Sequence, residues 1–143
     1  NAPRSTKDID IFWLDEDGFQ RAYAPLRESI QVIKKKHDLD ADWLNYLAQM
    51  LLYDEVVVPD GKLWKRFGPL HVFVPEVEYI LALKITAGRQ KDLEDCAILL
   101  AKTKIRRRQQ AQQLLDRYIS PGGQQRNAES IDNALNQLFG REA

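Results

Sequence analysis

Apolar and polar positions alternate at the start of the chain: Ile9, Ile11 and Phe12 interleave with Asp8 and Asp10, a period near two that predicts a short strand. Past an acidic turn, Asp15-Glu16-Asp17-Gly18, the spacing becomes helical. Tyr23, Leu26, Ile30 and Ile33 give an amphipathic helix between Phe19 and His37, with Pro25 marking its first turn. Lys34-Lys35-Lys36-His37 at its end suits the negative pole of the helix dipole, a solvated role that outweighs phosphate binding. Asp40 or Asp42 caps a second helix through Leu44, Leu47, Ala48, Leu51 and Leu52, most of it expected to be buried. Glu55-Val56-Val57-Val58, bounded by Pro59-Asp60-Gly61, and Leu70-His71-Val72-Phe73-Val74, closed by Pro75, read as strands. Between them Lys62-Leu63-Trp64-Lys65-Arg66-Phe67 mixes cations with rings. That mixture suits stacking a base and holding phosphates, or equally a hairpin-like connection with one packed tryptophan.

From Glu76 to Gly88 the stripe Val77, Ile80, Leu81 predicts that position 84 faces inward, and position 84 is Lys84. An ammonium on a buried stripe costs free energy unless its stem lies along the core edge or its head meets a carboxylate or a phosphate. Gly88 stops this helix, and Arg89-Gln90-Lys91-Asp92-Leu93-Glu94-Asp95 begins another. Asp92 can cap it with Asp95 in its first turn, or both can join Lys84 and Arg89 in a polar cluster able to handle phosphates. The last third is helical: Leu114, Leu115, Tyr118 and Ile119 follow the basic run Arg106-Arg107-Arg108, Ser120-Pro121-Gly122-Gly123 breaks the pattern, and Ile131, Leu135 and Leu138 form a final helix.

Composition narrows the class. With 143 residues, 44% hydrophobic and 29% charged, the chain suits one globular domain over 1–143, with core sheet and helices to about 100 and C-terminal helices after it. Asn1-Ala2 resembles the remnant of a cleaved tag and is set aside. Acids and bases balance at 21 each, so overall charge gives no reason to expect a protein that coats nucleic acid. No apolar run approaches the roughly 20 residues of a membrane span, and the expected location is cytoplasmic. Cys96, the one cysteine, sits among Leu93, Ala97, Leu99 and Leu100 and reads as a core residue.

The chemistry expected of this chain starts at Arg4-Ser5-Thr6-Lys7-Asp8-Ile9-Asp10-Ile11-Phe12. On a strand, residues two apart share a face, so Asp8 and Asp10 present adjacent carboxylates, whose repulsion a hard divalent cation would relieve. Together with Trp43-Leu44-Asn45, with Val74-Pro75-Glu76-Val77-Glu78-Tyr79-Ile80-Leu81-Ala82-Leu83-Lys84 and with Ala87-Gly88-Arg89-Gln90-Lys91-Asp92-Leu93-Glu94-Asp95, this stretch resembles the nucleotidyltransferase superfamily, in particular its minimal branch associated with toxin-antitoxin and abortive-infection systems. The resemblance implies an α+β domain with a small mixed sheet and a helical C-terminal half. It implies Mg2+ on Asp8 and Asp10, and transfer of a nucleotidyl group from a nucleoside triphosphate to an RNA or protein acceptor. Lys84 would steady phosphate charge, and Asp92, with Asp95, would orient Lys84 or act near the acceptor. Ser5, Thr6 and Arg89 would contact the nucleotide. The alternative keeps the fold and drops the chemistry: an inactive domain that binds a cognate toxin or antitoxin.

Overall fold

The computed structural model describes residues 8–52 and 54–141. The chain is a mixed α+β protein, mostly helical, with two small two-stranded sheets. It divides into two compact units, Asn1–Tyr53 and Asp54–Ala143.

In the first unit, β1 (Ile9–Asp10) pairs in parallel with β2 (Leu44–Asn45). The Ile9 amide donates to the Trp43 carbonyl at 2.7 Å and the Ile11 amide to that of Asn45 at 2.9 Å. Only two residues of the predicted strand enter this ladder, and Ile9 stays exposed instead of packing on a core. Between the strands runs α1 (Glu16–His37). Asp15 caps it by accepting from the Gly18 amide, so the acidic segment predicted as a turn is the helix start, with Glu16 and Asp17 at the positive pole. Pro25 therefore lies in the helix interior, not in its first turn. Its exposed position leaves the unpaired carbonyl one turn earlier open to water, which lowers the cost of the missing amide.

The helix predicted from residue 44 is corrected. Leu44 and Asn45 are taken by the ladder with β1, and only α2 (Leu47–Leu51) is helical, with Leu47, Met50 and Leu51 exposed. What packs in this unit is a partly buried ring cluster. Phe19 lies 5.4 Å from Trp13, 4.9 Å from Tyr23 and 5.5 Å from Tyr46. Gln49 bridges the backbone of Trp13, accepting from its amide at 2.8 Å and donating to its carbonyl at 2.9 Å, as a neighbouring strand would.

The second unit holds the core. The segment Glu55–Val58 forms one β-bridge, Val56 to Ile119, in place of the predicted strand. Next, β3 (Lys62–Phe67) and β4 (Leu70–Val74) form an antiparallel hairpin with an irregularity between Leu63 and Lys65. Then come α3 (Val77–Ala87), α4 (Gln90–Ala101), α5 (Arg108–Tyr118), the short α6 (Pro121–Arg126) and α7 (Ala128–Phe139). Helix α3 packs against α4, α5 and α7, burying Tyr79, Leu81, Ala82 and Ile85 against Leu93, Cys96, Leu115 and Leu135. Cys96 is a core residue, as its apolar surroundings predict, and burial pushes its thiol up to about 12. Among the described residues no helix is long and apolar enough to cross a membrane.

Candidate functional site

Two of the sequence blocks carry the candidate chemistry, one in each unit. In the first unit Asp8 precedes β1 and Asp10 lies within it, and both are exposed. None of the described ion pairs uses either of them. Two accessible carboxylates two residues apart are the donor set Mg2+ takes from protein, because the ion fills its remaining positions with water and phosphate oxygens. Among the described residues no group of three or more His, Cys, Asp or Glu side chains could hold a metal ion. Ser5 and Thr6 lie outside the described residues.

In the second unit the chain itself dictates the geometry. Gly88 ends α3 in the left-handed conformation at φ 61°, and α4 follows directly, so the first turn of α4 lies beside the last turn of α3. That turn brings Lys84, Arg89, Asp92 and Asp95 together. The Lys84 ammonium donates to Asp92 Oδ1 at 3.0 Å and lies 3.0 Å from Asp95 Oδ2. Arg89 Nε donates to Asp92 Oδ2 at 2.6 Å, and its Nη2 reaches Oδ1 at 3.3 Å. The Asp92 side chain is 0% exposed, Lys84 30% and Arg89 63%.

The buried face of α3 runs through Tyr79, Leu81, Ala82, Ile85 and Thr86, with Val77 and Ile80 only half-buried, so Lys84 flanks the core rather than facing its centre. Its stem lies on the core edge and its head meets two carboxylates. Asp92 sits in the first turn of α4, but the cap position belongs to Arg89, and no side chain caps the helix. The predicted capping role of Asp92 is thus replaced by a bond to each of two cations.

Burial pushes the Asp92 carboxyl up, but the Arg89 and Lys84 bonds outweigh it and hold the group below the usual carboxylate value. For Lys84 burial lowers the affinity for the proton, and the bonds to Asp92 and Asp95 raise it further than burial lowers it. Lys84, Arg89 and Asp92 are therefore all ionised near neutral pH. A carboxylate with both oxygens held by cations is a poor base and a poor metal ligand. What it does well is fix a lysine and an arginine whose outer edges remain in water.

A second ionic knot was not foreseen. Glu55 accepts from Arg126 Nε at 2.7 Å and from Asn127 Nδ2 at 3.1 Å, which ties the start of the unit to α6. Charged residues some 70 positions apart leave no local signal in a sequence. Compared with family models, with curated proteins and with solved structures, the chain has no match.

Proposed function

We propose that the chain is a nucleotidyltransferase-type protein that uses Mg2+ and a nucleoside triphosphate to modify an RNA or protein acceptor. The observation that carries this reading is the pair Asp8 and Asp10: two exposed carboxylates, one just before β1 and one within it, spared from every described ion pair. None of the described ion pairs supplies either group with a cation, which suits a site completed by one. Bound there, Mg2+ would neutralise triphosphate charge and favour departure of pyrophosphate. Ser5 and Thr6, just before Asp8 in the sequence, would contact phosphate. Lys84 and Arg89 offer phosphate-binding edges held in place by Asp92, and Asp95 shares Lys84 with it. In this reading Asp92 and Asp95 are positioning residues.

Calorimetric titration of Mg2+ with ATP, CTP, GTP or UTP into the chain, beside the Asp8→Asn/Asp10→Asn double variant, tests it. Binding of one nucleotide that the double variant loses supports the reading. No binding of any of the four rules it out.

One observation favours the inactive binding domain. Among the described residues of the first unit none is buried, while Leu14, Val32, Leu47, Met50 and Leu51 are exposed. Apolar side chains left in water on a unit with none buried suit a surface for a partner. For that reading the double variant keeps its affinity for a cognate toxin or antitoxin.

A further inference from the structure

We infer that the β3–β4 hairpin is a docking surface for single-stranded nucleic acid, on which Trp64 and Phe67 stack bases while Lys62 and Lys65 hold phosphates. The register carries the argument. Lys62 opposes Val74, Lys65 opposes Val72 and Phe67 opposes Leu70, which puts all three β3 side chains on one face. Trp64 is the extra residue of the irregularity between Leu63 and Lys65, and its ring lies 6.3 Å from that of Phe67, on the same side. A bulge re-aims one side chain out of strict alternation. Here it converts the sequence Lys-Leu-Trp-Lys-Arg-Phe into a row of cation, ring, cation, ring on a single face.

The exposures fit binding rather than packing. All six residues of β3 are exposed, with Trp64 at 65% and Phe67 at 49%. An exposed indole removes little apolar surface from water, so folding alone gives no reason for a tryptophan there. The Lys65 ammonium lies 5.1 Å from the centre of the Phe67 ring, so cation and platform are already adjacent.

Charge selects the occupant. The whole chain is neutral, yet residues 61–75 hold no acid, and Lys62 and Lys65 share the face of Phe67 while Arg66, opposite His71, lies on the other. A locally cationic surface with two exposed rings fits a backbone of phosphates carrying unstacked bases. A duplex keeps its base faces covered and offers the rings nothing. The inference uses no residue of the metal site and no transfer step.

The test is fluorescence anisotropy of a labelled 12-nucleotide oligo(U) with the full chain, without metal or nucleoside triphosphate, at several salt concentrations. The same oligonucleotide in duplex form is the competitor. The expected result is binding that weakens with salt at a logarithmic slope of about 1.4 to 2, as two to three displaced counterions on a single strand require, and poor competition by the duplex. Trp64→Leu keeps the apolar bulk and loses the aromatic face, so it should weaken binding roughly 5- to 100-fold, the loss of one stacked base. Trp64→Phe should recover most of it. The inference is overturned by absence of binding at low salt, by equal competition from the duplex, or by a Trp64→Leu variant that binds as the parent does. It is equally overturned if the hairpin face is occupied by a second copy, seen as a concentration-dependent dimer that Trp64→Leu abolishes while oligonucleotide binding is unchanged.

Discussion

Asp92 is where ionised groups are drawn furthest from water, and its environment decides what each member of the cluster contributes. Removing the cations from an enclosed carboxylate strands it, at about 3–5 kcal/mol. Asp92→Ala leaves Lys84 on Asp95 and Arg89 in water, whereas the Lys84→Met/Arg89→Met pair leaves the enclosed Asp92 with neither cation. Urea denaturation should therefore show the double variant losing about 3 kcal/mol and Asp92→Ala distinctly less. Equal losses would mean that the Asp92 carboxylate is open to water in solution. The pH dependence follows from the same groups. Asp92 binds its proton less readily in the folded chain, so its contribution is present above the usual carboxylate range and is lost as pH falls through its lowered value.

At the alkaline end the sign comes from neutral groups kept neutral. Burial raises Cys96 from 9.0 to about 12 and Tyr79 from 10.0 to about 12. Above pH 9 the unfolded chain releases protons that the folded one retains, so stability should fall between pH 9 and 12. The urea midpoint should drop from pH 9 upward, and Cys96→Ala should delay the onset of the drop to about pH 10. A midpoint that stays flat to pH 10.5 would contradict the burial of both groups.

Among the elements, the α3–α4 pair was the most legible in sequence, because a helix stop at Gly88 and a lysine at a nearly inward position are local signals. The first unit was less legible for a physical reason. Two-residue strands contain no full period, and Leu44-Asn45 is made a strand by amide bonds from Ile9 to Trp43 and from Ile11 to Asn45, far apart in the sequence. Among the described residues Val56 pairs as a strand with Ile119 alone, so three β-branched residues in a row did not make a ladder. The bulge at Trp64 could not be read either, since pairing with β4 creates it.

Helix α6 shows how close one element comes to the chain beside it. A Cβ on Gly123 would meet the Glu55 carbonyl oxygen at 2.8 Å and its Cα at 3.1 Å, whereas one on Gly122 would approach only the end of Arg126, at 3.6 Å. Gly123→Ala must push residues 54–56 aside and should cost about 1–3 kcal/mol. Gly122→Ala should be neutral or stabilise by up to about 1 kcal/mol through a stiffer unfolded chain. Thermal unfolding of the two variants should separate them by several degrees in opposite directions. A stable Gly123→Ala would remove the close approach of Glu55 to α6.

For the molecule as a whole, the two units divide the candidate residues. The second unit carries the buried core, the ion-pair cluster and the basic aromatic hairpin, while the first presents Asp8 and Asp10 at a short ladder braced by rings. The roles proposed for Asp8 with Asp10 and for the cluster around Asp92 differ as their surroundings do. The first two are exposed and spared from the described ion pairs, and the last is enclosed and fully engaged. A chain arranged in this way should transfer nucleotide only while the exposed acids are intact.

The most direct measurement is label transfer: the full chain with Mg2+ and each α-phosphorus-labelled nucleoside triphosphate in turn, with RNA and protein acceptors present, followed by counting of both fractions. The account predicts label from one of the four nucleotides in one fraction, with pyrophosphate released, and none with the Asp8→Asn/Asp10→Asn variant. Label from none of the four, or equal label from the double variant, would contradict it.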